Sequence, residues 1–404
     1  MKSLKSYKHT LFSCYIGYIT QAIVNNLAPL LFLTFRKEFG LSIKEIALLT
    51  TVNFLVQLLV DLLSTKLVDH VGYRTSAVTA HAMAASGLIA MAILPNILPN
   101  KLLALLLSVI IYAVGGGLLE VIVSPIVEAC PTERKEAVMS LLHSFYCWGQ
   151  VGVVLIATIF FKVVGIQHWK LLFCFVAIIP LFNMIYFMMV PIYQLVQEEK
   201  GASVRKLFSM STFWIFLLLM VCAGASELSM SQWSSAFAES GLQVSKTMGD
   251  LAGPCTFALL MGFSRVIYAR FSMKISLVKA MAISGVVCLV SYLIAALSSS
   301  AILGLIGCAL CGFSVGIFWP GTFSIASKTI KNGGTAMFAI LALAGDLGCS
   351  VGPTVVGMVS SAFQDDLKKG LLAASIFPVI LIMGLVGNKI NNKRNENIGT
   401  FEEN

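Results

Sequence analysis

The chain has 404 residues, of which 58% are hydrophobic and only 12% charged, where soluble domains carry roughly 25% charged residues. With a mean hydropathy of +0.89 there is too little polar surface for a water-soluble fold of this size. Intrinsic disorder, a collagen-like chain, a secreted disulfide scaffold and a soluble enzyme are excluded. The net charge of +9 is spread over short connections, so it reads as a topology signal rather than a nucleic-acid surface.

A helix needs about 20 apolar residues to cross the hydrocarbon core. The apolar runs predict twelve spans: 11–35, 45–66, 75–95, 102–126, 137–164, 170–192, 212–237, 246–270, 275–297, 300–327, 335–361 and 370–387. They are long and continuous, which excludes the alternating strands of a membrane barrel. The first run is too long for the apolar part of a cleavable signal. With both termini inside, the inner connections hold about twice as many lysines and arginines as the outer ones. This predicts N-in and C-in in the cytoplasmic membrane, although Arg36, Lys37 and Lys44 fall on the outer side.

The longest connection, 193–211, is polar and divides the chain into two six-helix bundles, 1–192 and 212–390, with a cytoplasmic tail at 391–404. A shift of 199 places Gly117 on Gly316 and Gly149 on Gly348, and each half has a proline late in its fourth helix, Pro125 and Pro320. Repeated six-helix halves mark transporters, so the expected fold is an all-α membrane protein with twelve transmembrane helices in two pseudo-symmetric six-helix bundles, the major facilitator architecture. The ten cysteines fall almost entirely inside apolar runs and act as small hydrophobes. Cys308 and Cys311 form a CxxC without histidine or acidic company, so neither metal nor redox chemistry is expected there.

Ionisable groups cost about 2.5–3.5 kcal/mol at a helix centre, and four acids lie well inside the spans. Glu120 shares a helix face with Gly116 and Ser124; the glycines thin the helix beside it, which suits a proton carrier. Glu227 stands among Ser226, Ser229, Ser231 and Gln232, as on a wet cavity wall, and is a second proton-coupling candidate. Asp346 lies among Gly345, Gly348 and Gly352, a close-packing face, as a substrate ligand, an interhelical partner or a gating residue. Asp61 ends a stripe with Asn53 and Gln57 and is expected to gate. Arg265 is expected near the cytoplasmic end of its helix, as a further gating candidate that pairs with an acid or caps a helix terminus. Each of these groups has a plainer reading as an interhelical hydrogen-bonding residue.

Asn25 and Asn26, on a stripe with Gln21 and Pro29, and His143 and Gln150, on a face with Cys147, are substrate-binding candidates, because amides and imidazole exchange hydrogen bonds with hydroxyls. Gln232 joins them. Trp233 and Trp319 are candidate stacking platforms for the apolar face of a sugar.

The stretches Gly117-Leu118-Leu119-Glu120, Ser124-Pro125 and His143-Ser144-Phe145-Tyr146-Cys147-Trp148-Gly149-Gln150 resemble the fucose permease-like branch of the major facilitator superfamily, over roughly residues 11–387. Ala223 to Trp233, Phe318-Trp319-Pro320-Gly321 and Gly345 to Pro353 look like an uncharacterised bacterial subgroup of that branch. Characterised members carry sugars with protons, and the resemblance implies that Glu120 lies in the sugar cavity and takes part in proton coupling. A family amide falls at about His143. The family's first-helix carboxylate is missing after Asn25-Asn26-Leu27, so coupling would rest on Glu120, alone or with Glu227. The superfamily's second-to-third-helix motif survives in part as Asp69-His70-Val71-Gly72-Tyr73-Arg74, which places Asp69 and Arg74 among the gating candidates.

The leading expectation is a secondary transporter for a sugar or similar polyhydroxylated solute, proton-driven, without cofactor and working as a monomer in the bilayer. A drug or metabolite exporter of the same fold is the alternative, weakened because the fifth helix lacks the Gly-Pro pair usual in antiporters. An amino-acid or peptide carrier would call for cavity cations, and Arg265 is expected to be peripheral. No Walker loop, HExxH or nucleotide fingerprint supports an enzyme, and the short tails leave no room for a sensor domain.

Overall fold

Lipid offers no partner for backbone N–H and C=O groups, so each apolar run must satisfy them internally by coiling. The computed structural model describes residues 6–132, 135–193, 204–271, 276–330 and 333–387. The predicted linker and tail fall largely outside these residues. Among them are twelve helices long and apolar enough to cross a membrane. In the first half these are α1 (Tyr7–Phe39), α2 (Ile43–Ser64), α3 (Tyr73–Ile97), α4 (Lys101–Glu128), α5 (Leu141–Val163) and α6 (Ile166–Met189). The second half contributes α7 (Ser211–Gly241), α8 (Lys246–Tyr268), α9 (Leu277–Leu297), α10 (Ala301–Thr329), α11 (Ala336–Ala362) and α12 (Leu367–Gly387). The count and order match the sequence expectation, while several spans run longer than the apolar core alone requires.

Local chemistry sets the breaks. Pro29 has no N–H to continue an α-helix, and α1 passes through a tight turn at Ala28–Leu31 before resuming at Phe32–Phe39. Gly40 then takes a left-handed φ of 69°, which closes the helix at little steric cost. Ser42 and Glu45 cap α2 reciprocally, each side chain bonding the other's backbone N–H. A wide turn ends α7 at Phe237–Gly241, and another interrupts α8 at Leu251–Cys255, around Pro254. The α10 span divides between Ala301–Val315 and Phe318–Thr329, which leaves a helix end in mid-span.

Between helices, small residues replace the hydrophobic driving force that lipid removes. A Cβ on Gly352 of α11 would come within 2.6 Å of the Ala225 carbonyl oxygen on α7, and Gly348 and Gly224 are crowded by the facing backbone in the same way. The glycine face expected around Asp346 is therefore the α7–α11 seam. In α4, the three consecutive glycines serve three neighbours: Gly115 meets α3 at Ala80 and Ala84, Gly116 meets Val24 and Gln57, and Gly117 meets Gln57 and Val60.

The termini of the described chain lie at one end of the bundle, the near end. At the far end the two halves are tied together. Arg36 pairs with Asp365, Lys246 donates to the Leu30 carbonyl, and the Thr51 and Thr354 hydroxyls bond each other. Ala47 also packs against Gly357.

Candidate functional site

Three of the four intramembrane acids converge. Asp61 on α2, Glu120 on α4 and Asp346 on α11 each place one carboxylate oxygen within 4.8 Å of the other two. Two come from the first half and one from the second, so the cluster straddles the interface between halves. Asp61 and Asp346 are buried and each keeps one oxygen without a hydrogen-bond partner. Glu120 accepts a 2.7 Å hydrogen bond from Gln21 of α1; one turn away, the Tyr18 hydroxyl meets Ser124 at 3.1 Å. Like charges this close in a low-dielectric interior cannot all be ionised without compensation. The all-oxygen donor set suits protons or a hard cation. Read along the sequence, these acids suggest separate roles in coupling, binding and gating; the structure brings them to one place.

Beside the acids runs a belt of amides. Asn25 Oδ1 accepts from Asn53 Nδ2 at 3.1 Å and from Gln57 Nε2 at 2.8 Å. Gln232 Nε2 donates 3.0 Å to the Asn25 carbonyl, and Thr50 donates to Gln232 Oε1 at 3.4 Å. Gln150 Nε2 donates 3.0 Å to Ser231 Oγ. Asn26 turns back to the Ala22 carbonyl at 2.9 Å, and Asn25 and Asn26 both reach the Tyr146 hydroxyl, at 3.4 and 3.5 Å. Asn25, Asn26, Gln150 and Gln232 are all buried, and the belt bonds the two halves to each other. Asn25, Thr50, Asn53 and Gln232 border a small polar cavity. The Oδ1 of Asn53 and Oε1 of Gln57 are buried acceptors without a partner.

The aromatic candidates separate. Trp233 is fully buried, donates its indole N–H to the Pro353 carbonyl at 3.0 Å and packs on Phe32 with ring centres 5.3 Å apart. In this conformation it is a core residue between the halves, not a cavity platform. Trp319 is half-buried, with its ring edge against Gly345, next to Asp346. His143 is exposed even though its ring lies 5.4 Å from that of Tyr18 and within electrostatic reach of Arg265 on the other half. A side chain that is accessible yet faces both halves lines an opening between them.

Arg265 departs most from its sequence expectation. It does not sit at the periphery. Its Nε donates 3.0 Å to the Gly316 carbonyl, and Nη1 donates 3.4 Å to the Cys147 sulfur on α5. Gly316 is the C-cap of the first segment of α10, so Arg265 does cap a helix terminus, but one in mid-span. Glu227, halfway along α7, is within electrostatic reach of it, and among the described residues no carboxylate lies within 4 Å of the guanidinium. Glu227 is buried, with one oxygen unpartnered.

One gating candidate lies elsewhere. Arg74 donates to the carbonyls of Phe187, Met188 and Val190, at 2.7 to 2.8 Å, and so ties the start of α3 to the end of α6 inside the first half. The side chain of Asp69 lies outside the described residues. Sequence reasoning missed a far-end network: Lys246 holds Asp250 at 2.6 Å, Glu239 at 3.2 Å and Ser235 at 2.9 Å, as well as the Leu30 carbonyl. The i, i+4 spacing of Lys246 and Asp250 is its one signal in the sequence.

The sequence model of the Major Facilitator Superfamily matches residues 13–353. Among solved structures, a bacterial homolog of the human lysosomal transporter Spinster, in an inward-facing and occupied conformation, superposes with a TM-score of 0.76 at 14% identity, covering 95% of this chain and 96% of that one. The E. coli fucose:proton symporter superposes at 0.65 with 16% identity, covering 95% and 99%. A D-xylose-proton symporter gives 0.75 with 13% identity, covering 94% and 95%. At these identities the likeness is one of fold. No curated protein matches the sequence. The family match over most of the chain and the two six-helix bundles make this protein a member of the major facilitator superfamily, a transporter rather than an enzyme.

Proposed function

We propose that the chain is a secondary active transporter for a sugar or similar polyhydroxylated solute, driven by protons, in the cytoplasmic membrane with both termini inside. The observation that carries this reading is the convergence of Asp61, Glu120 and Asp346 across the interface between halves. Protons that bind there change the repulsion between two rigid bodies, which is what couples an ion to alternating access. Glu120 is the carrier in this reading, with Glu227 as the second acid. Asn25, Asn26, His143 and Gln150 supply hydroxyl-binding groups, and Trp319 and Asp346 border the same region. The far-end ties keep that side shut, and the exposure of His143 and Pro320 fits an opening toward the near end, which is the inward side under this topology.

The test is uptake into proteoliposomes with an imposed pH gradient, inside alkaline, over a panel of monosaccharides, polyols and sugar acids. Accumulation that collapses when the gradient is dissipated supports the reading. Uptake indifferent to the gradient removes proton coupling. Extrusion of cationic drugs in place of any uptake turns the reading to the exporter.

A further inference from the structure

A guanidinium inside a membrane protein needs compensation, because an unpaired buried charge is among the costliest groups a fold can carry. Arg265 has five N–H donors. Among the described residues, one meets the Gly316 carbonyl and one meets the Cys147 sulfur. Both acceptors are neutral. The sulfur is a weak acceptor, and Glu227 stays beyond ion-pair distance.

Position adds the second point. Cys147 lies on α5 of the first half, while Arg265 and Gly316 lie on α8 and α10 of the second. The guanidinium therefore spans the seam along which solute must pass. The nearby His143 is exposed, so the seam is accessible at that side chain. The acids Asp61, Glu120 and Asp346 form a separate ionic locus, and Glu227 acts on this cation only at a distance, without an ion pair.

We propose that Arg265 binds an acidic group of the solute, so that the transported compound is a polyhydroxylated anion of the sugar-acid class rather than a neutral sugar. The proposal rests on the reading of the site as one for a polyhydroxylated solute. The planar fork of arginine matches a carboxylate with two parallel hydrogen bonds, and the amides Asn25, Asn26 and Gln150 are left for hydroxyl groups. A neutral sugar would leave the guanidinium without a directly bonded counter-charge in both loaded and empty states.

The experiment is a thermal-shift titration of the full-length protein in detergent, at constant ionic strength, with D-gluconate, D-glucuronate and D-galacturonate beside D-glucose, D-galactose and D-fucose. A ligand that binds only the folded protein raises its apparent stability by mass action. The expected result is stabilisation by a sugar acid and none by its neutral counterpart. Arg265→Gln is expected to weaken that affinity by about tenfold or more, since bonds to charged groups are the strong ones. If Arg265→Gln does not purify as a monodisperse species, Arg265→Lys keeps the charge and loses the fork. It is expected to bind the sugar acid more weakly while melting normally without ligand. Stabilisation of wild type and Arg265→Gln alike by a neutral sugar overturns the proposal and leaves the polyhydroxylated-solute reading standing. No shift with any sugar acid also overturns it. A response confined to cationic drugs, titrated in parallel as controls, overturns both.

Discussion

Gln21 of α1 donates a 2.7 Å hydrogen bond to Glu120 of α4, while the same carboxylate faces Asp61 of α2 and Asp346 of α11. Glu120 is thus held by a neutral amide from its own half and opposed by an acid from the other. A charge on Glu120 is repelled across the seam; a proton on it removes that repulsion. The amide fixes the carboxylate in place without neutralising it, as a reversible carrier requires.

Asp346→Asn tests that electrostatic arrangement. It keeps the shape and removes one of three acidic groups that cannot all be ionised together. In detergent the variant is expected to melt no lower than wild type, and about 1–2 °C higher if one unit of repulsion is relieved. Gradient-driven uptake is expected to fall at least tenfold. A large drop in melting temperature would mark Asp346 as a structural hydrogen-bond donor.

Alternating access requires the far-end ties to break. Thr51 and Thr354, whose hydroxyls bond each other across the seam, are expected to form a disulfide as Thr51→Cys with Thr354→Cys, since their side-chain ends already meet. Oxidation should stop transport and reduction should restore it. Nine of the ten native cysteines are buried and Cys174 is exposed, so Cys174→Ser is the appropriate background. Full transport in the oxidised protein would show that this seam does not open.

Two of the ion pairs at the far end should differ in their effect on stability. Arg36 and Asp365 are both partly open to solvent, and such pairs contribute about 0–1 kcal/mol. Asp250 is fully buried and depends on Lys246 and Ser235. Removing one partner of a buried pair costs about 3–5 kcal/mol, tempered here because Ser235 remains. Arg36→Ala is therefore expected to leave the melting temperature nearly unchanged, and Lys246→Ala to lower it by several degrees. Equal effects would contradict the burial argument.

The twelve spans were legible because each run must satisfy its own backbone in lipid, a local demand that hydropathy reports directly. The glycine seam at Gly345, Gly348 and Gly352 was legible for a similar reason: small residues one turn apart leave a flat face. The joint position of Asp61, Glu120 and Asp346 was not, because it depends on how α2, α4 and α11 pack, and no single helix carries that information. Arg265 was misjudged for a specific cause. Its distance from the end of α8 suggested a peripheral helix terminus, but α10 breaks in mid-span at Gly316 and supplies a terminus inside the bundle. Trp233 looked like a platform beside polar residues; its ring is taken up by Phe32 and its N–H by Pro353, contacts from distant parts of the chain.

The most direct test of the account is the comparison of wild type with Glu120→Gln in proteoliposomes, with gradient-driven accumulation and counterflow exchange measured on the same preparation. The account predicts that Glu120→Gln loses accumulation and keeps counterflow, because the solute site survives while the proton carrier does not. Accumulation at the wild-type rate in Glu120→Gln would contradict it.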